Sequence, residues 1–281
     1  MNASGGARRR ARERFIAIAE GPDSAIDLGE AMAVIAAEDQ PNLAVLEQLH
    51  GLDRLASRLR GSLRGVEGAR ARLEALCRGM FGELRFRGNS EDYYDPKNSY
   101  LHHVLDRRLG IPISLSVVLI EVGRRLGMSL EGVSFPVHFL ACDLDAPGLF
   151  VDAFHGGALL DEGECQALLE RMTAGQLSFS PPMLEPCGTR DILVRVLANL
   201  KAIYVRRRAF GLALAAIDRI LLLVPSSTAQ LRDRGLLNLH ANQFRDAIDD
   251  LELYLDVSPR ADDRLVVQAR IAEARSKLGK H

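Results

Sequence analysis

The apolar residues of the first eighty positions recur at the spacing of a helix. From residue 15 to residue 80 they return every three or four positions, as Leu28, Ala31 and Ile35 do. This period is typical of amphipathic helices that bury one face. We therefore predict an N-terminal helical region over residues 1–80.

The middle of the chain changes from a helical to an extended pattern. Pro112 to Leu126 is apolar around most of its circumference, which predicts a buried helix. After Gly127, two extended runs at 132–144 and 148–154 are separated by turn-forming residues, and this arrangement predicts a β-hairpin. A buried helix followed by paired strands indicates an α+β domain, which we place at residues 81–188.

A segment rich in proline, glycine and serine follows, at residues 173–188, and predicts a linker or a long surface loop. Beyond it the chain is helical and repeats itself. Five pairs of matching residues lie 34 positions apart: Phe210 and Phe244, Ala213 and Ala247, Ile217 and Leu251, Leu221 and Leu255, Pro225 and Pro259. That period is the tetratricopeptide period. Residues 189–281 are therefore predicted to form a tail of two helix-turn-helix units and a closing helix.

Composition excludes several classes of partner. The chain of 281 residues has 36 basic and 37 acidic residues. Its net electrostatic field therefore favours neither nucleic acid nor a membrane surface as a partner. No run approaches the roughly 18 to 20 apolar residues of a membrane span. Four scattered cysteines without metal-ligand spacing indicate reduced thiols. We expect a cytoplasmic protein with no membrane or nucleic-acid partner.

The residues with the richest chemistry lie between 98 and 157. Four histidines occur there: His102, His103, His138 and His155. The spacings HExxH and HxH are missing, so the sequence predicts no metal site. The chain also lacks GxxxxGK, the motif of the phosphate-binding loop, and GxSxG, the motif of the nucleophile elbow of α/β-hydrolases. The sequence therefore predicts no cofactor.

Three stretches between residues 81 and 157 resemble the transglutaminase-like core of the bacterial Sir-B-type family. They are FGELRFRGNSEDYYDP, NSYLHHVLDRRLGIPISLSVVLIEVGRRLGMSLEGVSFPVHFL and FVDAFHGG. The resemblance implies a mainly helical α+β protein, whose papain-like core of a helix and an antiparallel sheet precedes a tetratricopeptide tail. It also implies a site in which a cysteine at the start of the buried helix attacks an acyl carbon. A histidine on the next strand shares its proton, and an aspartate on the following strand orients that histidine.

The matching positions are His138 and Asp152, but the cysteine has no counterpart. Its window, residues 111–116, reads IPISLS. Ser114 is the best substitute nucleophile because it lies in the first helical turn, where the helix dipole favours negative charge. A serine at this place is also a common way to satisfy a free backbone amide. His138, equally, is either a general base or a hydrogen-bonded core residue.

The hairpin register offers a test of the His138–Asp152 pair. In an antiparallel hairpin, an odd number of loop residues between Leu144 and Gly148 places both side chains on one face. An even number would place His155 opposite His138 instead. The hypothesis therefore predicts an odd loop.

Two functions follow from these expectations. The first is an interaction or regulatory protein whose transglutaminase-like core lacks the nucleophilic cysteine and whose repeat tail binds a protein or peptide. The second is an acyl transferase or an amide or ester hydrolase that uses Ser114, His138 and Asp152. Tail arginines such as Arg232 and Arg234 either favour an acidic peptide or are simply solvated.

Overall fold

The computed structural model describes residues 3–279, which form two compact units that divide between Val196 and Leu197. Within residues 3–196 the first unit has seven α-helices: α1 (Ala3–Glu20), α2 (Leu28–Asp39), α3 (Val45–Leu59), α4 (Ala69–Cys77), α5 (Leu101–Arg107), α6 (Pro112–Arg125) and α7 (Glu162–Thr173). An eighth, α8 (Thr189–Arg206), crosses the division. The domain boundaries predicted after residues 80 and 188 both remain predictions.

The first unit also contains two sheets. The strands are β1 (Arg87–Gly88), β2 (Leu109–Gly110), β3 (Leu130–Val133), β4 (Leu140–Asp143), β5 (Phe150–Asp152), β6 (Ala158–Leu160) and β7 (Pro186–Cys187). β1 and β2 form a short parallel pair. The others form an antiparallel sheet in the order β6-β5-β4-β3-β7. The predicted α+β class, mainly helical with a small antiparallel sheet, is confirmed.

Helix α6 is the central element of this unit. Every residue from Pro112 to Gly123 is buried, and the helix contacts α3, α5, β3 and β4. Its one buried carboxylate, Glu121, pairs with Arg125 one turn later, with 2.6 Å between the nearest side-chain atoms. The helix is apolar around its circumference because helices cover one side of it and the sheet covers another, as the sequence predicted.

One local prediction was wrong, and another was incomplete. The run 132–144 is two strands, since Pro136 lacks an amide hydrogen and Val137 has a left-handed φ of 54°, and the turn they form separates β3 from β4. The predicted linker at 173–188 contributes β7, which pairs with β3 at the edge of the sheet. A two-residue strand is too short to produce a periodic pattern, and an edge strand tolerates Pro186.

The second unit continues from α8 with α9 (Phe210–Leu223), α10 (Thr228–His240), α11 (Phe244–Val257) and α12 (Arg264–Leu278). Helices α9 and α11 begin and end 34 residues apart, so the repeat seen in the sequence is a structural repeat. Ala213 and Ala247 are fully buried. A side chain at Gly235 would meet Leu251 at 2.7 Å, so glycine permits the close approach of α10 and α11. Within the described range, no helix combines the length and apolarity that crossing a membrane requires.

Candidate functional site

His138 lies in the turn that joins β3 to β4. Its backbone N–H donates to the carbonyl of Phe135 at 3.2 Å, which closes the turn. Arg195, which lies on α8, stabilises this turn. Its guanidinium donates to the carbonyl of His138 at 2.6 Å and to the hydroxyl of Ser134 at 2.9 Å. The imidazole is buried, with 2% of its side chain exposed. Both its backbone and its ring are therefore held in place.

Asp152 is the last residue of β5 and accepts four hydrogen bonds. Its Oδ1 lies 3.0 Å from Nε2 of His138 and accepts the backbone N–H groups of Phe154 at 3.1 Å and His155 at 3.2 Å. Its Oδ2 lies 2.7 Å from Nδ1 of His155. Because a carboxylate only accepts, each imidazole donates its N–H to it. The carboxylate is thus a shared anchor for two histidines.

The charge of Asp152 is strongly stabilised although only 3% of its side chain is exposed. Burial raises the pKa of the carboxyl, but hydrogen bonds and charge interactions with His138 and His155 outweigh burial and lower the pKa to about 2. The group is therefore an anion throughout the physiological range. It can orient the imidazole of His138 and stabilise it when it is protonated.

The sheet register has the predicted parity. Ala141 pairs with Val151 and Cys142 with Phe150. Continuing this register pairs Leu144 with Gly148 and leaves an odd number of loop residues between them. His155 nevertheless reaches the same carboxylate, because it lies in the turn after β5 and not on the strand.

Ser114 is buried in the first turn of α6, and its hydroxyl has other partners. It donates to the carbonyl of Asn98 at 2.5 Å and accepts the backbone N–H of Ile111 at 3.0 Å. The hydrogen bonds found in the described part of the chain do not join Ser114 to His138. Ser116, two residues further along α6, is fully buried. Within the described part of the chain its hydroxyl has no hydrogen-bond partner.

None of the four cysteines has the surroundings of an activated thiol. Burial raises the pKa of Cys77, Cys142 and Cys165 to about 12 and that of Cys187 to about 11. A reactive cysteine needs the opposite, a lowered pKa that favours the thiolate. Cys77, Cys142 and Cys165 are buried in the first unit, and Cys187 is half-buried.

His155 is the site residue that sequence spacing did not single out. Its side chain is 57% exposed, and its ring stacks on that of His138 with centroids 5.8 Å apart. Phe154 contacts both rings edge-on and also meets Tyr93, at centroid distances between 5.2 and 6.4 Å. His155 is thus the exposed residue of the three, and Tyr93 and Phe154 form an aromatic rim beside the buried His138–Asp152 pair.

A buried helix packed on an antiparallel sheet, with a histidine from the turn before β4 paired to an aspartate at the end of β5, defines a transglutaminase-like core. A family model described as the transglutaminase-like superfamily matches residues 47–198, more than half of the chain. The chain belongs to that superfamily. A second family model, described as a tetratricopeptide repeat, matches residues 200–272.

Relatives occur in bacteria and in mammals. A UPF0162 protein of Xylella fastidiosa is 40% identical over 206 residues, which are 72% of this chain and 73% of the relative. A UPF0162 protein of Vibrio cholerae is 33% identical over 68% of this chain and 71% of its own length. F-box only protein 21 of Mus musculus is 32% identical over 60% of this chain, but over only 28% of its own length. No solved structure gives a significant match.

Proposed function

We propose that this protein is an interaction or regulatory protein. In this proposal the transglutaminase-like core lacks the nucleophilic cysteine of its superfamily, and the repeat tail binds a protein or peptide partner. The observation that carries the proposal is the first turn of α6. Where the resemblance implies a cysteine, the chain has buried Ser114, whose hydroxyl is engaged with Asn98 and Ile111.

Two finer assignments accompany this proposal. The three stretches that resemble the bacterial Sir-B-type family support placing the protein in that branch of the superfamily. The four free cysteines support a cytoplasmic location, because thiols stay reduced in that compartment.

One observation favours a second function. Asp152 and His138 are paired at 3.0 Å and buried, as the orienter and the base of an acyl-transfer site would be. In this alternative Ser114 is the nucleophile of an acyl transferase or an amide or ester hydrolase. The alternative requires the Ser114 hydroxyl to leave Asn98 and turn towards the imidazole.

The structural role of Ser114 can be measured through the stability of the protein. We expect Ser114→Ala to lower the free energy of unfolding by about 1–3 kcal/mol, because it leaves the Ile111 N–H and the Asn98 carbonyl buried and unpaired. The matched control is Ser116→Ala, the same change on the same buried helix. It should be near neutral or stabilising, since that hydroxyl has no partner to lose. Urea denaturation followed by circular dichroism measures both.

The same variants test for catalysis. A serine-directed fluorophosphonate probe should leave the parent protein unlabelled, with an active serine hydrolase as positive control. Labelling of the parent that disappears in Ser114→Ala and in His138→Ala, but persists in Ser116→Ala, would establish the second function and overturn the first.

Partner binding is tested on the groove of the second unit. Helices α9, α10 and α11 line this tail groove with Leu214, Asp218, Arg234, Asn238, Asp246 and Asp249. Asp246 and Asp249 are exposed, so their replacement by lysine should leave the fold intact while reversing the charge of the groove. We expect partners cross-linked to the full-length protein to be lost in this double variant. They should be kept in a control with Glu67→Lys and Glu185→Lys, two exposed positions of the first unit. Equal recovery with both would show that the groove does not bind.

A further inference from the structure

We propose that His138, Asp152 and His155 form a binding site for a divalent transition-metal ion of the zinc class. The two imidazoles and the carboxylate offer ligand atoms that all lie within 4.8 Å of one another. The sequence predicted no metal site because these three residues do not follow a compact motif. The turn before β4 and the turn after β5 bring them together.

The distances are close to those of a coordination shell. Zinc binds imidazole nitrogen at about 2.0–2.1 Å and carboxylate oxygen at about 2.0–2.2 Å, which sets tetrahedral ligands roughly 3.3 Å apart. Nε2 of His138 and Nδ1 of His155 lie 3.0 and 2.7 Å from the two oxygens of Asp152. An ion between the three groups therefore needs a movement of roughly one ångström. His155 can make it, because more than half of its side chain is exposed.

The remaining contacts hold two of the ligands in position. Backbone N–H groups of Phe154 and His155 bind Oδ1 of Asp152, and this oxygen keeps its orientation when an ion occupies the other. Arg195 binds the carbonyl of His138 and fixes the turn from which that imidazole projects. Such outer contacts orient metal ligands and strengthen binding.

The ligand set selects the class of ion. Imidazole nitrogens suit zinc, iron, copper and nickel, whereas magnesium and calcium prefer oxygen ligands. Three protein ligands leave one tetrahedral position for water or another ligand. The exposed face of His155, next to the aromatic rim of Tyr93 and Phe154, gives an ion access from solvent.

This inference goes beyond the proposed function and does not depend on it. A metal on Nε2 of His138 leaves the ring proton on Nδ1, so the ring cannot also act as a base through Nδ1. Metal binding and serine catalysis at His138 therefore exclude each other. Failure of the metal site would leave the proposed partner binding untouched.

The test is a zinc titration of untagged, full-length protein after dialysis against a chelator. Competition with a chromogenic zinc indicator should show one tight site per chain. His155→Ala should lower the zinc affinity at least about 100-fold, because it removes a direct ligand. Replacing residues that only contact a ligand typically lowers metal affinity by about 10–100-fold. The matched control is His50→Ala, another exposed histidine of the first unit, which should bind as the parent does.

Cobalt gives a second readout of the same site. Co²⁺ absorption should show a low-symmetry, four-coordinate spectrum in the parent and in His50→Ala, and not in His155→Ala. His155 is a surface residue, so its replacement should fold normally, which circular dichroism verifies. A parent without a tight site, or equal affinity in the parent and His155→Ala, would overturn the proposal.

Discussion

Replacing Asp152 with alanine is expected to lower the free energy of unfolding by about 3–5 kcal/mol. The change removes the acceptor of four hydrogen bonds and leaves the N–H groups of His138 and Phe154 without their partner in a buried setting. The control is Asp145→Ala, an exposed aspartate of the neighbouring hairpin loop, which should cost less than about 1 kcal/mol. Chemical denaturation measures both, and a loss for Asp152→Ala no larger than the control would contradict the anchoring role.

The pH dependence of stability is a check on the same prediction. The folded-state pKa of Asp152 is about 2, below the ordinary value of 3.8, so the native state favours the charged form. The resulting stabilisation, about 2 kcal/mol, is fully present above pH about 4 and is lost as the pH falls through about 2. Asp152→Asn cannot titrate. The stability difference between the parent and this variant should therefore narrow as the pH falls from 5 to 2, and a constant difference would exclude the effect.

Replacing Arg234 with methionine is expected to cost about 2–3 kcal/mol. Arg234 donates to both oxygens of Asp250, at 2.9 and 2.6 Å, and to Asp218 at 3.1 Å. These hydrogen bonds raise the pKa of its guanidinium. The side chain of Asp250 is only 9% exposed, so losing the arginine leaves a carboxylate that water solvates poorly. The estimate is below that for a fully buried pair because Arg234 itself is 30% exposed.

Arg232→Met is the matched control for this effect. Arg232 lies two residues away on α10 and pairs with Asp233 and Asp263, which are both about one third exposed, at 30% and 31%. Water can replace that arginine, so the variant should lose less than about 1 kcal/mol. If both variants lose the same free energy of unfolding, the burial of Asp250 does not determine the effect of Arg234→Met. Both arginines are thus paired within the tail, which weakens the hypothesis that they recruit an acidic peptide.

The sequence predicted those elements whose residue pattern repeats along the chain. The 34-residue register placed α9 and α11, because equivalent residues must be buried in each repeat. The apolar residues that cover most of the circumference of residues 112–126 predicted α6 as a buried helix. The parity argument anticipated the register of β4 and β5, since strand geometry alternates strictly, although His138 itself lies in the turn before β4.

The features that the sequence missed depend on single turns and distant contacts. The left-handed φ of Val137 breaks the predicted long strand, and such a conformation carries little signal when the residue is valine. The position of His155 follows from the turn after β5. The partner of Ser114 is a backbone carbonyl sixteen residues away, at Asn98. Every residue has such a carbonyl, so no pattern of side chains reports it.

Helix α8 contributes residues to both units of the chain. It begins at Thr189 in the first unit and ends at Arg206 in the second, and Arg195 lies on it just before the division. Arg195 is also the residue that fastens the turn of His138. Loss of the part of α8 that carries Arg195 would therefore free the turn from which the imidazole of His138 projects. A truncation that begins before Arg195 would release that turn along with the repeats, so the two parts can be separated only by cutting after it.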